Sequence, residues 1–116
     1  MSFWSVVARS WAEYTTVPLQ DVMVMPDETE KETGTFPYLN PITCYGLLAL
    51  AKEGNHKGVI ITAAASQCGT ILTRLCKQAG IKTLCTIRKD EHKSICLDNG
   101  ADVVLNTTDK DFEDKL

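Results

Sequence analysis

The chain has 116 residues, a formal charge of −3, 44% hydrophobic residues and 23% charged ones. That length supports one modest core rather than two complete domains. The acidic balance leaves no basic footprint for nucleic acid, and no apolar run approaches the roughly 20 residues that span a bilayer. The five cysteines (Cys44, Cys68, Cys76, Cys85 and Cys96) form no C-x-x-C pair, and an odd number leaves no complete disulfide set. Reduced thiols in an intracellular protein are the expectation. The start Met-Ser-Phe-Trp-Ser-Val-Val-Ala-Arg carries one basic residue and no long apolar core, so neither a secretory signal nor a mitochondrial presequence is evident. A cytoplasmic or mitochondrial setting is expected, not a secreted one.

Phe3 to Ala8 and Glu13 to Val17 are rich in Trp, Val, Tyr and Thr and read as two short strands. Pro18 ends the second, and Val22 to Met25 before Pro26 reads as a third. Asp27 to Gly34 is polar and acidic, a solvated connection or a helical surface turn. Asn40-Pro41 then predicts a helix start, with a capping side chain followed by proline at the first helical position. Ile42, Tyr45, Leu48 and Ala49 recur at helical spacing, and Gly54 is the expected stop.

Gly58-Val-Ile-Ile61 is an apolar run of strand length that breaks into Thr62-Ala-Ala-Ala-Ser-Gln-Cys-Gly69. A helix follows, with Ile71, Leu72, Leu75, Cys76 and Ala79 on one face and Gly80 as its C-terminal glycine. Thr83 to Ile87 reads as the next strand, and Asp90 to Gly100 as a helix capped by Asp90. Val103 to Leu105 is a third strand, and Asp109 is placed to cap a last helix carrying Phe112 and Leu116. Near-continuously apolar strands alternating with amphipathic helices predict an α/β fold with a parallel sheet and right-handed crossovers.

The spacing Ala64-x-Ser66-x-x-Gly69 is a degenerate form of G-x-G-x-x-G. Between a strand and a helix, such a turn lets phosphates approach the backbone where free N–H groups and the helix dipole favour negative charge. Ala64 is acceptable in the first position if the turn there needs no positive φ. Ser66 narrows the approach but offers a hydroxyl, and Gly69 keeps the position that lets helix and strand pack closely. The second strand runs out into Arg88-Lys89 rather than into Asp or Glu. A guanidinium there grips a 2′-phosphate in a fork that a carboxylate would repel, which favours NADPH over NADH if a dinucleotide binds; the alternative is that Arg88 and Lys89 are solvated loop charges balancing Asp90 and Glu91. His92 lies one turn into the following helix and suits an adenosine-phosphate contact better than a general base; His56 sits in a polar loop. No nucleophile with its base and no metal cluster stands out, so no catalytic residue is assigned.

Four stretches together resemble the medium-chain dehydrogenase/reductase superfamily, on the zinc-independent branch of quinone oxidoreductases and 2-enoyl thioester reductases. Trp11-Ala-Glu-Tyr14 with Val17-Pro18 resembles the segment that closes that family's GroES-like catalytic domain. Asn40-Pro-Ile-Thr-Cys-Tyr45 is similar to its N-P-x-T-A-Y helix start, and Thr62 to Gly69 to its phosphate turn. Gly100-Ala-Asp-Val-Val-Leu-Asn106 resembles the signature of its third nucleotide-domain strand. The resemblance implies NADP(H) as cofactor and no zinc. It places Thr43 near the nicotinamide and its ribose, and Ala65, Ser66, Gln67 and Cys68 along the pyrophosphate. Arg88, Lys89 and His92 would face the 2′-phosphate, and Asn106 and Thr107 the adenosine side.

The resemblance further implies two parts: residues 1–38 as a short β-rich remnant of a GroES-like domain with linker, and residues 39–116 as the first β-α-β-α-β half of a Rossmann-like domain. The implied reaction is NADPH-dependent hydride transfer to a quinone or an activated C=C bond, with the substrate-binding and nicotinamide-side regions lying outside this chain. The expected partners are NADPH and either other protein chains or the remaining part of such an enzyme. The alternative is a non-catalytic structural subunit of a larger assembly, a mitochondrial one included, whose open sheet edges are buried against partners.

Overall fold

The computed structural model describes residues 3–4, 12–30, 32–35 and 38–116. They fall into two compact units that divide between Leu39 and Asn40.

In the first unit, β1 (Phe3–Trp4) pairs antiparallel with β2 (Met23–Val24). Single 3-10 turns lie at Leu19–Asp21 and Thr33–Thr35. The strand expected over Glu13 to Val17 does not form: Ala12–Glu13 is a bend and the next four residues are irregular. Tyr14, at 90% exposure, finds nothing to pack on, and strand propensity without a partner surface does not make a strand. Residues 5–8 of the first expected strand, Trp11 of the Trp11–Tyr14 motif and Lys31 lie outside the described residues.

The second unit runs α1 (Leu39–Glu53), β3 (Gly58–Ile61), α2 (Gln67–Gln78), β4 (Lys82–Ile87), α3 (Lys93–Asp98), β5 (Val103–Asn106) and α4 (Phe112–Lys115). Its strands form one parallel sheet in the order β3-β4-β5, with Ile61 opposite Cys85 and Cys85 opposite Val104. Punctuation follows local chemistry. Gly80 (φ +71°) and Gly100 (φ +92°) take the left-handed conformation just past α2 and α3, where a Cβ is disfavoured. After α1 that conformation falls on Asn55 (φ 51°) rather than on Gly54, within the tolerance of asparagine for it.

Side chains alternate across a pleated strand, so the register sorts them into faces. Ile61, Cys85 and Ile87 share one face with Val59 and Val104, and they pack with Ala64 and Cys96 into a core beneath the crossover helices. The opposite face carries Ile60, Leu84, Thr86, Val103 and Leu105. There Ile60 is 61% and Val103 45% exposed, while Thr86 is buried, so this face is open in part.

A second core joins Leu48 and Ala51 of α1 to Cys76 of α2 and Ile81. The face α1 buries is therefore Cys44, Leu48 and Ala51; of the expected Ile42, Tyr45, Leu48 and Ala49, Leu48 lies on it and the other three are exposed. Ile42 and Tyr45 are more than half exposed. Leu47, Leu48, Ala49 and Leu50 make this helix apolar on most sides, so spacing alone does not select its inner face.

At the amino ends of the strands, Asp102 staples β5 to β4. Its carboxylate accepts from Lys82 Nζ at 2.8 Å and from the Thr83 backbone N–H at 2.9 Å, while its own N–H donates to Thr83 Oγ1 at 3.2 Å. The Lys82 ammonium first, and the Thr83 N–H next, hold the Asp102 carboxyl below the ordinary carboxylate value. A depressed folded value stabilises the fold above the unfolded pKa of about 4 and loses that contribution as pH falls through the folded one. Thermal melts of Asp102→Asn against wild type are thus expected to differ most near neutrality. The two curves should converge in acid below about pH 4; a gap that stays constant with pH excludes the staple as a charged contact.

Candidate functional site

Parallel strands deliver their carboxyl ends to one side, and here three of them open onto a cleft of about 840 Å³. Its walls are the turn Thr62 to Ser66 after β3, Thr86-Ile87-Arg88 at the end of β4, His92, and Thr107 after β5.

The turn is shaped by three local features. Ala63 takes positive φ (49°) and Ala64 does not, the condition under which alanine is acceptable at the first glycine position. Ala64 is fully buried and its N–H donates to Thr86 O at 3.2 Å, tying the turn to β4. Ser66 is the N-cap of α2, its Oγ accepting from the Gly69 N–H at 3.2 Å. A hydroxyl that accepts in this way keeps its own hydrogen to donate outward. The helix accordingly begins at Gln67, and Gln67, Cys68 and Gly69 form its first turn. The first N–H groups of a helix have no acceptor within it.

Arg88 stands at the cleft as an exposed guanidinium with no hydrogen bond or ion pair among the described residues. Lys89 instead meets Glu91 at 3.4 Å, outside the cleft wall. His92 Nε2 lies 3.7 Å from the same carboxylate, too far for a hydrogen bond to orient the ring. Thr107 is fixed by its N–H and Oγ1, which donate to Ile87 O at 2.9 and 3.2 Å.

Of the residues named from sequence, Ala65, Ser66, Arg88, His92 and Thr107 line the cleft. Gln67, Cys68, Lys89, Asn106 and Thr43 do not; Thr43 is an exposed residue of α1. Asn106 is 8% exposed and serves as a strut: its Nδ2 donates to Asp90 Oδ1 at 2.9 Å, and its Oδ1 accepts from Thr108 N–H at 3.0 Å and Oγ1 at 2.9 Å. Asp90 is consequently not a helix cap, and the segment after β4 opens as a 3-10 turn (Asp90–His92) before α3. Asp109 does not cap α4 with its side chain either; its carbonyl accepts the Phe112 N–H.

Sequence reading missed Thr62, Ala63, Thr86 and Ile87 as wall residues. The rule that open α/β sheets bind ligands outside the carboxyl ends of their strands is the signal that points to them. All five cysteines are free thiols, four of them buried. Among the described residues no group of His, Cys, Asp or Glu is arranged to hold a metal, and no helix is long and apolar enough to cross a membrane.

No protein-family model matches the chain. A quinone oxidoreductase from Sus scrofa is 27% identical over 115 residues, which are 97% of this chain and 34% of that protein. Among solved structures, a mycobacterial protein complexed with NADPH superposes with a TM-score of 0.73 at 27% identity, covering 88% of this chain and 31% of that one. Escherichia coli quinone oxidoreductase complexed with NADPH superposes with a TM-score of 0.68 at 25% identity, covering 83% and 30%. The chain thus spans about a third of the length of the relatives it matches. In sheet order and sequence it is thus similar, over that part of their length, to NADPH-binding quinone oxidoreductases.

Proposed function

We propose that this segment binds the adenosine-phosphate half of NADPH, as part of a quinone or enoyl reductase whose hydride-transfer machinery lies in regions outside it. The observation that carries this is the Arg88 guanidinium, without a partner among the described residues, at a cleft floored by a small-residue turn. A dinucleotide's pyrophosphate needs close backbone approach, which Ala63, Ala64 and Ala65 allow and larger side chains would block. In this reading Ala65 and Ser66 face the pyrophosphate, with Gln67 and Cys68 offering N–H groups from the first turn of α2. Arg88 and His92 take the 2′-phosphate, Lys89 adds charge from outside, and Thr107 edges the adenosine. Asn106 holds the β4 and β5 loops in place, and Thr43 belongs to the nicotinamide side. Residues 39–116 then act as the first half of a Rossmann-like domain and residues 1–38 as the end of a GroES-like one. NADPH supplies the hydride; this chain's residues bind and orient it, and no metal takes part. Free thiols throughout suit a cytoplasmic or mitochondrial setting.

Fluorescence titration of the purified chain tests this. NADPH is expected to saturate, to be displaced by 2′,5′-ADP, and to bind about tenfold or more tighter than NADH, the worth of one charge-assisted contact. No saturation by NADPH or 2′,5′-ADP up to millimolar concentration overturns it. A second reading, a non-catalytic subunit, is favoured by the open part of the sheet face at Ile60 and Val103, which a partner would cover. The mass of the native complex in cell extract, with cofactor binding absent, distinguishes that reading.

A further inference from the structure

Cys44 and Cys68 come from different helices yet meet. Cys44, on α1, is fully buried, and its Sγ donates to the Cys68 carbonyl at 3.3 Å. The Cys68 thiol also lies close enough to act electrostatically on Cys44. Cys68, in the first turn of α2, is the one cysteine not buried. It opens onto a small groove of about 200 Å³ that it shares with Leu47, Ile60 and Ser66. Cys85 and Cys96 are neighbours too, but at 0% and 1% exposure neither meets an oxidant from solvent. Only one close pair in this fold therefore joins a reachable thiol to a sheltered one.

We propose that Cys44 and Cys68 form a peroxide-sensitive dithiol, with Cys68 as the attacking thiol and Cys44 as the resolving one. Cys68 sulfur attacks a hydroperoxide, breaking the O–O bond; the thiol becomes a sulfenic acid and the peroxide leaves as an alcohol or water. Cys44 sulfur then attacks the sulfenic sulfur. The S–S bond forms, the S–O bond breaks, and the Cys44 proton leaves with that oxygen as water. Two hydrogens are lost from the protein and one peroxide bond is reduced. Burial, and next the neighbouring Cys68, push the Cys44 thiol up to about 11, which suits a group that reacts only with a sulfur already beside it. The bond would tie α1 to the turn of α2 that Ser66 caps, beside the cleft. The proposal does not depend on cofactor binding.

The test uses the full chain, natively folded, treated with hydrogen peroxide, then unfolded, alkylated and peptide-mapped. Loss of two of the five thiols into a single Cys44–Cys68 cross-link is expected. In Cys68→Ser all four remaining thiols should stay alkylatable. In Cys44→Ser a dimedone adduct should accumulate on Cys68. The mapping of wild type decides even if the buried Cys44 variant fails to fold. A Cys85–Cys96 bridge, an intermolecular Cys68 bond, or sulfinic acid on Cys68 with Cys44 still alkylated overturns the assignment.

Discussion

Replacing Gly69 by alanine is expected to cost about 3 kcal/mol or more, at or beyond the top of the usual overpacking range. A Cβ on Gly69 would stand 2.6 Å from the Ala64 carbonyl carbon and 2.7 Å from its Cα. Both are backbone atoms, so no side chain can swing aside. Neither partner is free to retreat. Ala64 is fully buried and bonded to Thr86, and the Gly69 carbonyl accepts from the buried Thr73 Oγ1 at 2.8 Å. Relief would require α2 to lift from the β3 turn, exposing the apolar surface that Leu72 and Cys76 bury. On a total stability of about 5–15 kcal/mol this is a large fraction, and the melting temperature should fall by roughly 15 °C. Gly46→Ala is the control of opposite sign. Gly46 lies inside α1 with nothing within 4 Å of its would-be Cβ, so alanine should stabilise by about 0.5–1 kcal/mol. A Gly69→Ala protein melting within about 2 °C of wild type would refute this account of the helix–turn contact.

Arg88→Ala should weaken NADPH binding about 10- to 100-fold while leaving NADH nearly unchanged, since a hydrogen bond to a charged group contributes about 1.5–3 kcal/mol. The asymmetry is the useful part of the result. The 2′-phosphate is the only group that separates the two nucleotides, and Arg88 is the cleft cation without a protein partner among the described residues. Lys89→Ala should have a smaller effect, because Lys89 meets Glu91 and lies off the cleft wall. Equal loss for both nucleotides would mean that Arg88 supports the loop rather than the phosphate. No loss for either would remove the 2′-phosphate from this corner altogether.

Much of this fold is legible in local residues because the forces concerned are local. Apolar runs of strand length, amphipathic spacing in α2, and glycines at residues 80 and 100 set the β-α-β-α-β order and where helices end. The close packing of Gly69 against the turn is also legible, as is the position of Arg88 at the tip of the second strand, since both follow from a strand–turn–helix unit. The inner face of α1 is not, because an evenly apolar helix has no preferred side until α2 offers Cys76 to pack on. The same holds for Asp90, a plausible cap by spacing, which instead receives Asn106 from the neighbouring strand. Tertiary structure alone decides that Thr62, Thr86, Arg88 and Thr107 end at one cleft, and that Cys44 meets Cys68. Sequence spacing encodes which conformations the chain prefers along itself. Parallel register decides which distant residues share a surface, and it depends on burial that no short stretch contains.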